Sequence, residues 1–341
     1  MEATCQAARE GFTRYTPNAG ITPLREALVQ KLRQRNGLEV SIDNITITSG
    51  AVNAIFAAIF STVDPGEEVL LPDPGWPNFE LVPRCYGAKV VRYPLDREQG
   101  FIPTDFDAMD RLVSEKTKAI VVNSPSNPSG SVFPPETVER LVEFAQRLDL
   151  YLISDETYED IVFEGEHISP AHFCPEGRVL GLFSFSKSYA MTGWRVGYLV
   201  ASEEISVLAR KIHEPTISCV SSISQAAALA ALQGPRDYIS EMVTAYRRRR
   251  DLAMEILREY DLFNYLPQGA FYTLVDISRC GMDSYNFARS LLAERKVAVA
   301  PGETFGPAGA NFVRVSFSNS DETISEGMRR LCEYIYARRS H

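Results

Sequence analysis

The chain contains 341 residues, of which 45% are apolar and 23% are charged, and its formal net charge is −9. A chain of this length and composition buries one large core and a smaller one, while its acidic balance argues against a general nucleic-acid-binding protein. The longest apolar run, Ala54–Phe60, is far too short to cross a bilayer, which argues against a helical membrane protein.

The cysteines and the first residues of the chain predict a cytoplasmic protein with reduced thiols. The six cysteines lie far apart in the sequence, and no histidine stands near them at the spacing of a metal ligand, so we expect no metal site. The first residues lack the basic and apolar regions of a signal peptide. The one basic run, Tyr246–Arg250, falls in a long helical pattern, for which a solvated helix face is a better interpretation than a phosphate-binding patch.

Strands and helices alternate along the chain, without a visible low-complexity linker or internal repeat. The chain begins with a Gly- and Pro-rich loop that contains Tyr15, and Pro23 is well placed in the first turn of a helix that runs to about Gln34. A short β-branched strand, Ile45–Thr48, follows this helix. The alternation is typical of an α/β protein.

The strand Ile45–Thr48 ends in a Ser-Gly turn that leads into an Ala-rich helix. The backbone amides of Gly50, Ala51 and Val52 would point out of the N-terminus of this helix, where they form a ready anion site. Junctions of this kind are common. This one indicates a phosphate site only in combination with the other anion-binding residues described below.

A proline-stiffened loop follows the next strand, Glu68–Leu71, and carries Trp76. A tryptophan is often part of a hydrophobic core. A loop held between three prolines is a poor place to bury a large ring, however, and stacking on a flat ligand suits Trp76 better. We therefore expect Trp76 to line a binding site.

Two polar residues stand at the ends of the next two strands. The strand Ala119–Val122 leads into a turn-rich segment with Asn127, at the strand end where α/β sheets bind their ligands, although a structural turn asparagine fits equally well. The strand that starts at Tyr151 ends at Asp155, and Tyr158 lies three residues further on. A buried carboxylate needs a cationic partner, so we expect Asp155 to face a cation; a helix N-cap is the alternative.

Lys187 lies between two predicted strands, Val179–Phe183 and Val196–Val200, in a run of small hydroxyl residues. A solvated lysine is an equally good interpretation of the local pattern alone. The surroundings favour a reactive amine beside a phosphate, because hydroxyl donors and a guanidinium lie close in the sequence, at Ser184, Ser186 and Arg195. That combination fits a pyridoxal phosphate site, in which the lysine forms a Schiff base and the phosphate is bound separately.

The remainder of the chain is a smaller α/β unit that follows a long helix, Asp237 to about Tyr260. Its predicted strands are Gly269–Asp276, Val297–Ala300 and Asn311–Ser318, with a helix around Tyr285–Glu294. Arg314 is a cation within the last strand and should pair with a carboxylate. A substrate carboxylate is favoured over a structural ion pair with another residue. We therefore expect one domain over residues 1–236 and a second over residues 237–341.

Together, these motifs cover nearly all of the chain and resemble one family. The chain is similar to the fold-type I pyridoxal phosphate enzymes, and among them to the class I and II aminotransferases related to aspartate aminotransferase. The resemblance implies a large domain with a mostly parallel seven-stranded sheet flanked by helices, and a smaller C-terminal α/β domain. It also implies a homodimer with shared active sites, and amino-group transfer between an L-amino acid and a 2-oxo acid by a ping-pong mechanism.

The resemblance assigns roles around the cofactor, pyridoxal 5'-phosphate. Lys187 would form the internal aldimine and carry the proton, and Asp155 would pair with the pyridine nitrogen. Tyr158 and Asn127 would contact the ring oxygen, and Trp76 would stack on the ring. The phosphate would be bound by the amides of Gly50, Ala51 and Val52, by Ser184, Ser186 and Arg195, and by Tyr15 from the other subunit.

The resemblance also assigns the substrate-binding residues. Arg314 would bind the α-carboxylate together with Asn127, while Trp76 would contact the substrate as well as the cofactor. The bond between Asn127 and Pro128 would be cis, which is rare even before proline.

The chain departs from the family in two places. Family members usually carry some tens of residues before the Tyr15 segment, as part of the small domain, so we expect a truncated chain with impaired closure and turnover. Val52 takes the position where the bacterial aspartate/prephenate subgroup has a lysine for the distal carboxylate of the substrate. Because valine cannot bind a carboxylate, a neutral or aromatic amino donor is open beside an acidic one.

Other functions share this scaffold. A carbon–sulfur β-lyase would use the same lysine, although the Ala-Met-Thr-Gly-Trp-Arg segment after Tyr189 is more similar to that of transaminases. Related sensor domains of transcription regulators follow a DNA-binding domain, and we see no basic helix-turn-helix segment here. A catalytically weak protein that only binds the cofactor stays open as an alternative.

Overall fold

A mixed sheet of seven strands occupies the middle of the chain in the computed structural model, which describes residues 1–174 and 177–338. Its strands are β1 Ile45–Thr48, β2 Glu68–Asp73, β3 Lys89–Pro94, β4 Thr117–Asn123, β5 Tyr151–Asp155, β6 Val179–Ser184 and β7 Gly197–Val200. They lie in the order β1-β7-β6-β5-β4-β2-β3, and β7 runs antiparallel to both of its neighbours. The predicted α/β fold with a mostly parallel sheet is therefore confirmed.

Helices cover both faces of this sheet, because successive side chains of a strand point to opposite faces. Val121 of β4 packs into one core, whereas its neighbours Ile120 and Val122 pack into another. The helices before residue 236 are α1 Glu2–Arg9, α2 Thr22–Lys31, α3 Gly50–Thr62, α4 Asn78–Arg84, α5 Phe106–Asp110, α6 Pro135–Arg147, α7 Phe185–Ser188, α8 Glu203–Thr216 and α9 Ser222–Gln233. Across the described part of the chain, we find no helix long and apolar enough to pass through a membrane.

A second, three-stranded antiparallel sheet follows the long helix α10, Asp237–Glu259. Its strands are β8 Tyr272–Asp276, β9 Ala300–Pro301 and β10 Phe312–Ser316, in the order β8-β10-β9. The helices of this region are completed by α11 Ser284–Arg295 and α12 Asp321–Ala337. Met254 of α10, Leu331 of α12 and Val313 of β10 belong to one hydrophobic core. The division into two domains at residue 236 stays a prediction.

Several strand ends meet at one edge of the large sheet. Asn123, the last residue of β4, pairs with Asp155, the last residue of β5. Ser184 at the end of β6 and Thr48 at the end of β1 both pair with Gly197 of β7. The start of α3 therefore lies beside the ends of these strands, at the edge where sheets of this kind bind ligands.

Some boundaries differ from the predicted ones. The helix expected to reach Gln34 ends as an α-helix at Lys31 and continues as a π-helical turn to Asn36. The strand predicted over Val297–Ala300 is reduced to β9, because only Ala300 and Pro301 pair with β10. The elements α1, α4, α5, α7, α12 and β3 were not predicted.

The basic run in α10 is exposed at Arg247 and Arg248, as its sequence predicts, but Arg250 at its end is buried. The Arg250 side chain is only 3% exposed, and its guanidinium donates to Glu164 and to the carbonyl oxygen of Pro267 at 2.9 and 2.8 Å. Arg248, two residues earlier, is 64% exposed and forms an ion pair with Asp321. A buried guanidinium is favoured when each donor finds an acceptor, and the period of a helix alone does not reveal such acceptors.

We expect Arg250→Met to destabilise the protein by about 2–3 kcal/mol, because it leaves the buried Pro267 carbonyl without its donor and removes a charged hydrogen bond. Arg248→Met, the matched control in the same run, should cost below about 1 kcal/mol, as is usual for an exposed ion pair. Urea unfolding of the two variants measures the difference. Equal losses would contradict the buried role of Arg250.

Candidate active site

A cavity of about 320 Å³ opens at the edge where the strand ends meet. It is lined by Ala51, Val52, Trp76, Asn127, Asp155, Tyr158, Ser184, Ser186, Lys187, Arg195 and Arg314, all of which were predicted site residues. Gly50 lies beside it, against the Arg195 guanidinium. Tyr15 does not line it and is 88% exposed. The structure therefore brings the predicted residues together with the exception of Tyr15.

The Asp155 carboxylate is buried at the end of β5, with 5% of the residue exposed. Its Oδ1 accepts a hydrogen bond from the Thr157 amide at 3.1 Å, and no helix starts here, so the alternative of an N-cap is wrong. Among the described residues the carboxylate forms no ion pair. Burial raises the pKa of Asp155 to about 6, since the charged form loses its hydration. A cationic ligand group would remove this penalty.

Lys187 lies in α7, the single helical turn that follows β6. Its Nζ is 5.4 Å from the centre of the Phe271 ring and 5.8 Å from that of Tyr158. Within the part of the chain that the structure describes, the amine has no carboxylate at ion-pair distance. Burial, followed by the charges of Arg314 and Arg195, lowers the pKa of Lys187. The alternative of an ordinary solvated lysine does not fit these surroundings.

The start of α3 and Arg195 form an end of the cavity that is suited to an anion. No side chain caps the first turn of α3, so its amides lack intrahelical acceptors and remain available. Arg195 donates to the carbonyl oxygens of Ser49 and Thr192 at 3.3 and 3.0 Å, which holds its guanidinium over this turn. A Cβ at Gly50, where φ is +73°, would lie 2.5 Å from Arg195 Nη2. Only glycine therefore permits this close approach.

Arg314 projects from β10 towards the same cavity. Its Nη1 donates to Asn127 Oδ1 at 2.8 Å, and its Cζ lies 4.3 and 4.9 Å from the ring centres of Tyr272 and Phe305. Its buried Nε has no acceptor, and the guanidinium has no carboxylate partner, among the described residues. The alternative of a structural ion pair is therefore wrong. The Asn127–Pro128 bond is cis, as the resemblance implied.

Trp76 is both a core residue and a residue that lines the cavity, the two roles that its sequence allowed. It is half-buried and packs edge-on against Phe79, with the ring centres 5.4 Å apart, so part of it belongs to the core around α3 and α4. It also lines the cavity. Stacking of its ring on a ligand stays a prediction.

Tyr272, Thr157 and Thr192 line the cavity but were not predicted. Tyr272 is the most informative, because its hydroxyl lies 3.1 Å from that of Tyr158, and burial together with this neighbour raises the pKa of Tyr158. In the pairing of β8 with β10, Leu274 is opposite Arg314. Tyr272 is two residues from Leu274 and therefore on the same face of the sheet as Arg314. The alternation of side chains along β8 could have indicated that Tyr272 and Leu274 share a face. The register of β8 against β10, which places Arg314 on that face, could not be read from the sequence.

The cavity thus combines a buried carboxylate, an amine of lowered pKa, an anion-binding helix start and an unpaired guanidinium. Such a set suits a ligand with separate cationic, carbonyl and anionic groups, together with a second ligand that carries a carboxylate. In residues 1–174 and 177–338 no group of three histidine, cysteine or acidic residues stands at distances that would hold a metal ion.

Comparison with known proteins agrees with this arrangement. A family model described as aminotransferase class I and II matches residues 1–333. The chain is 39% identical to a probable aspartate/prephenate aminotransferase of Aquifex aeolicus, over 97% of this chain and 85% of that one. It is also 39% identical to the aspartate/prephenate aminotransferase of Thermus thermophilus, over 98% and 86% of the two chains.

Solved structures show the same similarity. The aromatic aminotransferase from Pyrococcus horikoshii superposes with a TM-score of 0.95 at 34% identity, covering 99% of this chain and 91% of that one. The aspartate aminotransferase from Thermus thermophilus with maleate gives a TM-score of 0.93 at 39% identity, covering 98% and 87%. The fold is therefore that of a large set of similar structures.

We expect Asp155→Asn to stabilise the protein when no cationic ligand is bound. The folded state releases the Asp155 proton near pH 6 and the unfolded chain near its ordinary value of 3.8, so wild-type stability falls as the pH rises between these values. The variant should be about 2–3 kcal/mol more stable than wild type near pH 7, and the difference should vanish below about pH 4. Denaturant unfolding at both pH values measures it.

Asp105→Asn serves as the control, because Asp105 caps α5 at the surface and accepts from Ala108. It should give no gain at neutral pH. Equal stabilities of wild type and Asp155→Asn near pH 7 would mean that the Asp155 carboxylate carries no burial penalty.

Proposed function

The chain belongs to the class I and II aminotransferases, and we propose that it moves an amino group between an L-amino acid and a 2-oxo acid with pyridoxal 5'-phosphate as cofactor. The observation that carries this proposal is one cavity with four charged groups that lack ion-pair partners among the described residues, Lys187, Asp155, Arg195 and Arg314. An amino acid and the cofactor together supply a partner for each of them.

The residues of the cavity fit this cofactor. Asp155 is the partner for the protonated pyridine nitrogen, because a cation there relieves the penalty that raises its pKa. Tyr158 and Asn127 would contact the ring oxygen, and Trp76 would face the ring. The phosphate is assigned to Ser184, Ser186, Arg195 and the amides of Gly50, Ala51 and Val52. When bound, the cofactor supplies an electron-withdrawing ring that stabilises negative charge on the substrate Cα.

Lys187 is the residue that would hold the cofactor covalently and would move the proton. Its lowered pKa increases the fraction of neutral amine near neutral pH, and only the neutral amine can accept the α-proton. Arg314 and Asn127 orient the substrate by its carboxylate, so that the Cα–H bond faces Nζ. Because the amino acid and the 2-oxo acid use this site in turn, the kinetics should be ping-pong.

We infer that the preferred donor has a neutral or aromatic side chain. The cations that line the cavity are Lys187, Arg195 and Arg314, and each already has an assigned group. Val52, which is 41% exposed at the start of α3, offers no charge to a second carboxylate. An acidic donor would need a cation from the partner subunit. The similar proteins are compatible with either class of donor, because their names include both aspartate/prephenate and aromatic aminotransferases.

We also propose a homodimer in which each subunit supplies Tyr15 to the other. Tyr15 is the most exposed tyrosine of the described residues, at 88%, although its neighbour Thr16 is anchored to Gln225. Val52, Phe60 and Leu81 on α3 and α4 are 41%, 45% and 56% exposed, and such exposed apolar side chains suit contact with a second copy.

The first test is the visible spectrum of the protein with pyridoxal 5'-phosphate, titrated with single amino acids. We expect the absorbance of the lysine-bound cofactor in wild type and its loss in Lys187→Ala. Phenylalanine or leucine should convert it to the aminated cofactor at lower concentration than aspartate does. Lys187→Ala that keeps the wild-type spectrum would contradict the role of Lys187, and release of pyruvate and ammonia from cysteine would indicate the lyase instead.

Val52→Lys is the matched variant for donor choice. Because it places a cation at the mouth of the cavity, the concentration of aspartate needed for conversion should fall about tenfold relative to phenylalanine, on the scale of one new charged hydrogen bond. Wild type that already prefers aspartate, with no effect of Val52→Lys, would contradict the proposed donor class.

Mixing two impaired variants tests the shared site. Tyr15→Ala should bind pyridoxal 5'-phosphate about 10- to 100-fold more weakly, as expected for one charged hydrogen bond, and Lys187→Ala should be inactive. Mixed dimers contain one site with both an intact Lys187 and a partner Tyr15, so activity at low cofactor should return on mixing. A monomer in sedimentation, or no recovery on mixing, would contradict the proposal.

A further inference from the structure

The turn Phe305–Ala308 connects the region of β9 to that of β10 and lies against the loop that follows β2. Two hydrogen bonds join the turn to this loop. The Gly75 amide donates to the Phe305 carbonyl oxygen at 2.7 Å, and the Ala308 amide donates to Asp73 Oδ1 at 3.1 Å. Asp73 is the last residue of β2, and Trp76 follows three residues later. The turn thus links the small sheet to the loop that carries Trp76.

The approach between Asp73 and the turn is as close as the backbone permits. Gly306 has a φ of +124°, and a Cβ there would collide with the Asp73 carboxylate and would stand 2.7 Å from Arg92 Nη1. Arg92 is itself paired with Glu80. The Asp73 carboxylate therefore accepts from the Ala308 amide and lies near the Arg92 guanidinium. A side chain at residue 306 would collide with both groups. This geometry has no counterpart in the roles assigned so far.

The turn also carries the Phe305 ring, which packs on Arg314. Phe305 is only 3% exposed, and its ring centre is 4.9 Å from Arg314 Cζ. A ring at this distance attracts a guanidinium and restricts its orientation. Asn127 and Tyr272 contact the same guanidinium. The direction of the remaining Arg314 donors thus depends on three neighbours, of which Phe305 is the one held by the turn.

We propose that Asp73 and Phe305 act as one positioning unit for Arg314, with Asp73 holding the turn and Phe305 holding the guanidinium in the direction that binds the substrate carboxylate. This inference rests on the proposed function, because it assumes that Arg314 binds that carboxylate. Neither residue lines the cavity. They act on carboxylate affinity and leave the proton transfer at Lys187 unchanged.

The test is a double-mutant cycle of Asp73→Ala and Phe305→Leu in the enzyme with pyridoxal 5'-phosphate. Each single variant should raise the KM for both the amino acid and the 2-oxo acid about 3- to 30-fold, with kcat changed less than about threefold. Because both changes release the same guanidinium, the KM of the double variant should be hardly higher than that of the more impaired single variant. Effects on KM that multiply would overturn the proposed unit, and so would unchanged KM values.

Conservative variants and a binding assay separate positioning from folding. Asp73→Asn keeps an acceptor for the Ala308 amide, and Phe305→Tyr keeps the ring, so both should stay within about threefold of the wild-type KM. The dissociation constants of 3-phenylpropanoate and succinate, measured by the absorbance of the bound cofactor, should rise with KM, while that of pyridoxal 5'-phosphate stays constant. Carboxylate affinity that stays constant in Asp73→Ala and Phe305→Leu would overturn the inference.

Phe287→Leu is the matched control. Phe287 is a fully buried aromatic residue of α11 that packs against Tyr334 and not against Arg314. It should lower the melting temperature and leave KM at the wild-type value, and an equal rise of KM in this variant would overturn the inference. Failure of the proposed function has a different signature, namely a wild-type protein that shows no spectral conversion by any amino acid.

Discussion

The active site depends on burying three charged groups, wholly or in part, without giving them ion-pair partners inside the protein. Asp155, Lys187 and Arg314 line one cavity and form no ion pairs within the described residues. The penalty is visible in their pKa values, because burial raises that of Asp155 and lowers those of Lys187 and Arg314. Unpaired charges that are partly buried attract an oppositely charged ligand group strongly, since water screens them less than it does at the surface. The same arrangement makes the ligand-free protein less stable than a neutral cavity would, which is the usual relation between an active site and stability.

The frame that holds these charges consists of neutral hydrogen bonds around Asn123 and aromatic contacts around Arg314. Asn123 donates from Nδ2 to the Asp155 carbonyl oxygen at 3.1 Å and accepts from the Asn127 amide at 2.8 Å, so one buried side chain sets two residues of the site. Arg314 is oriented by Asn127 and by the rings of Tyr272 and Phe305. Neutral partners are a physical requirement here. A carboxylate beside Arg314 or a cation beside Asp155 would fix the side chain equally well but would occupy the charge that the ligand has to meet.

The sequence predicted the fold class and most of the cavity wall because both follow from local patterns. Residues at the carboxyl ends of parallel strands, such as Asn127, Asp155 and Lys187, come together at one sheet edge whatever the details of packing. Tyr272 and Phe305 were missed, since their place depends on the register of β8 against β10 and on the turn before β10, which are set by contacts distant in sequence. Arg250 was assigned to a solvated face for the same reason, because its acceptors Glu164 and Pro267 lie far along the chain.

The cation that we propose for carboxylate recognition and the amine that we propose for proton transfer come from different sheets. Asp155, Lys187 and Arg195 come from the seven-stranded sheet and its connections, whereas Arg314 and Tyr272 come from the three-stranded sheet. Two polar contacts cross between them inside the cavity, Arg314 to Asn127 and Tyr158 to Tyr272. Asn127 and Tyr158 are also the residues assigned to the ring oxygen of the cofactor. A carboxylate bound by the Arg314 guanidinium would therefore compete with Asn127 for its donors. The proposed roles thus link substrate binding to the contact that Asn127 would make with the cofactor, because both involve one amide.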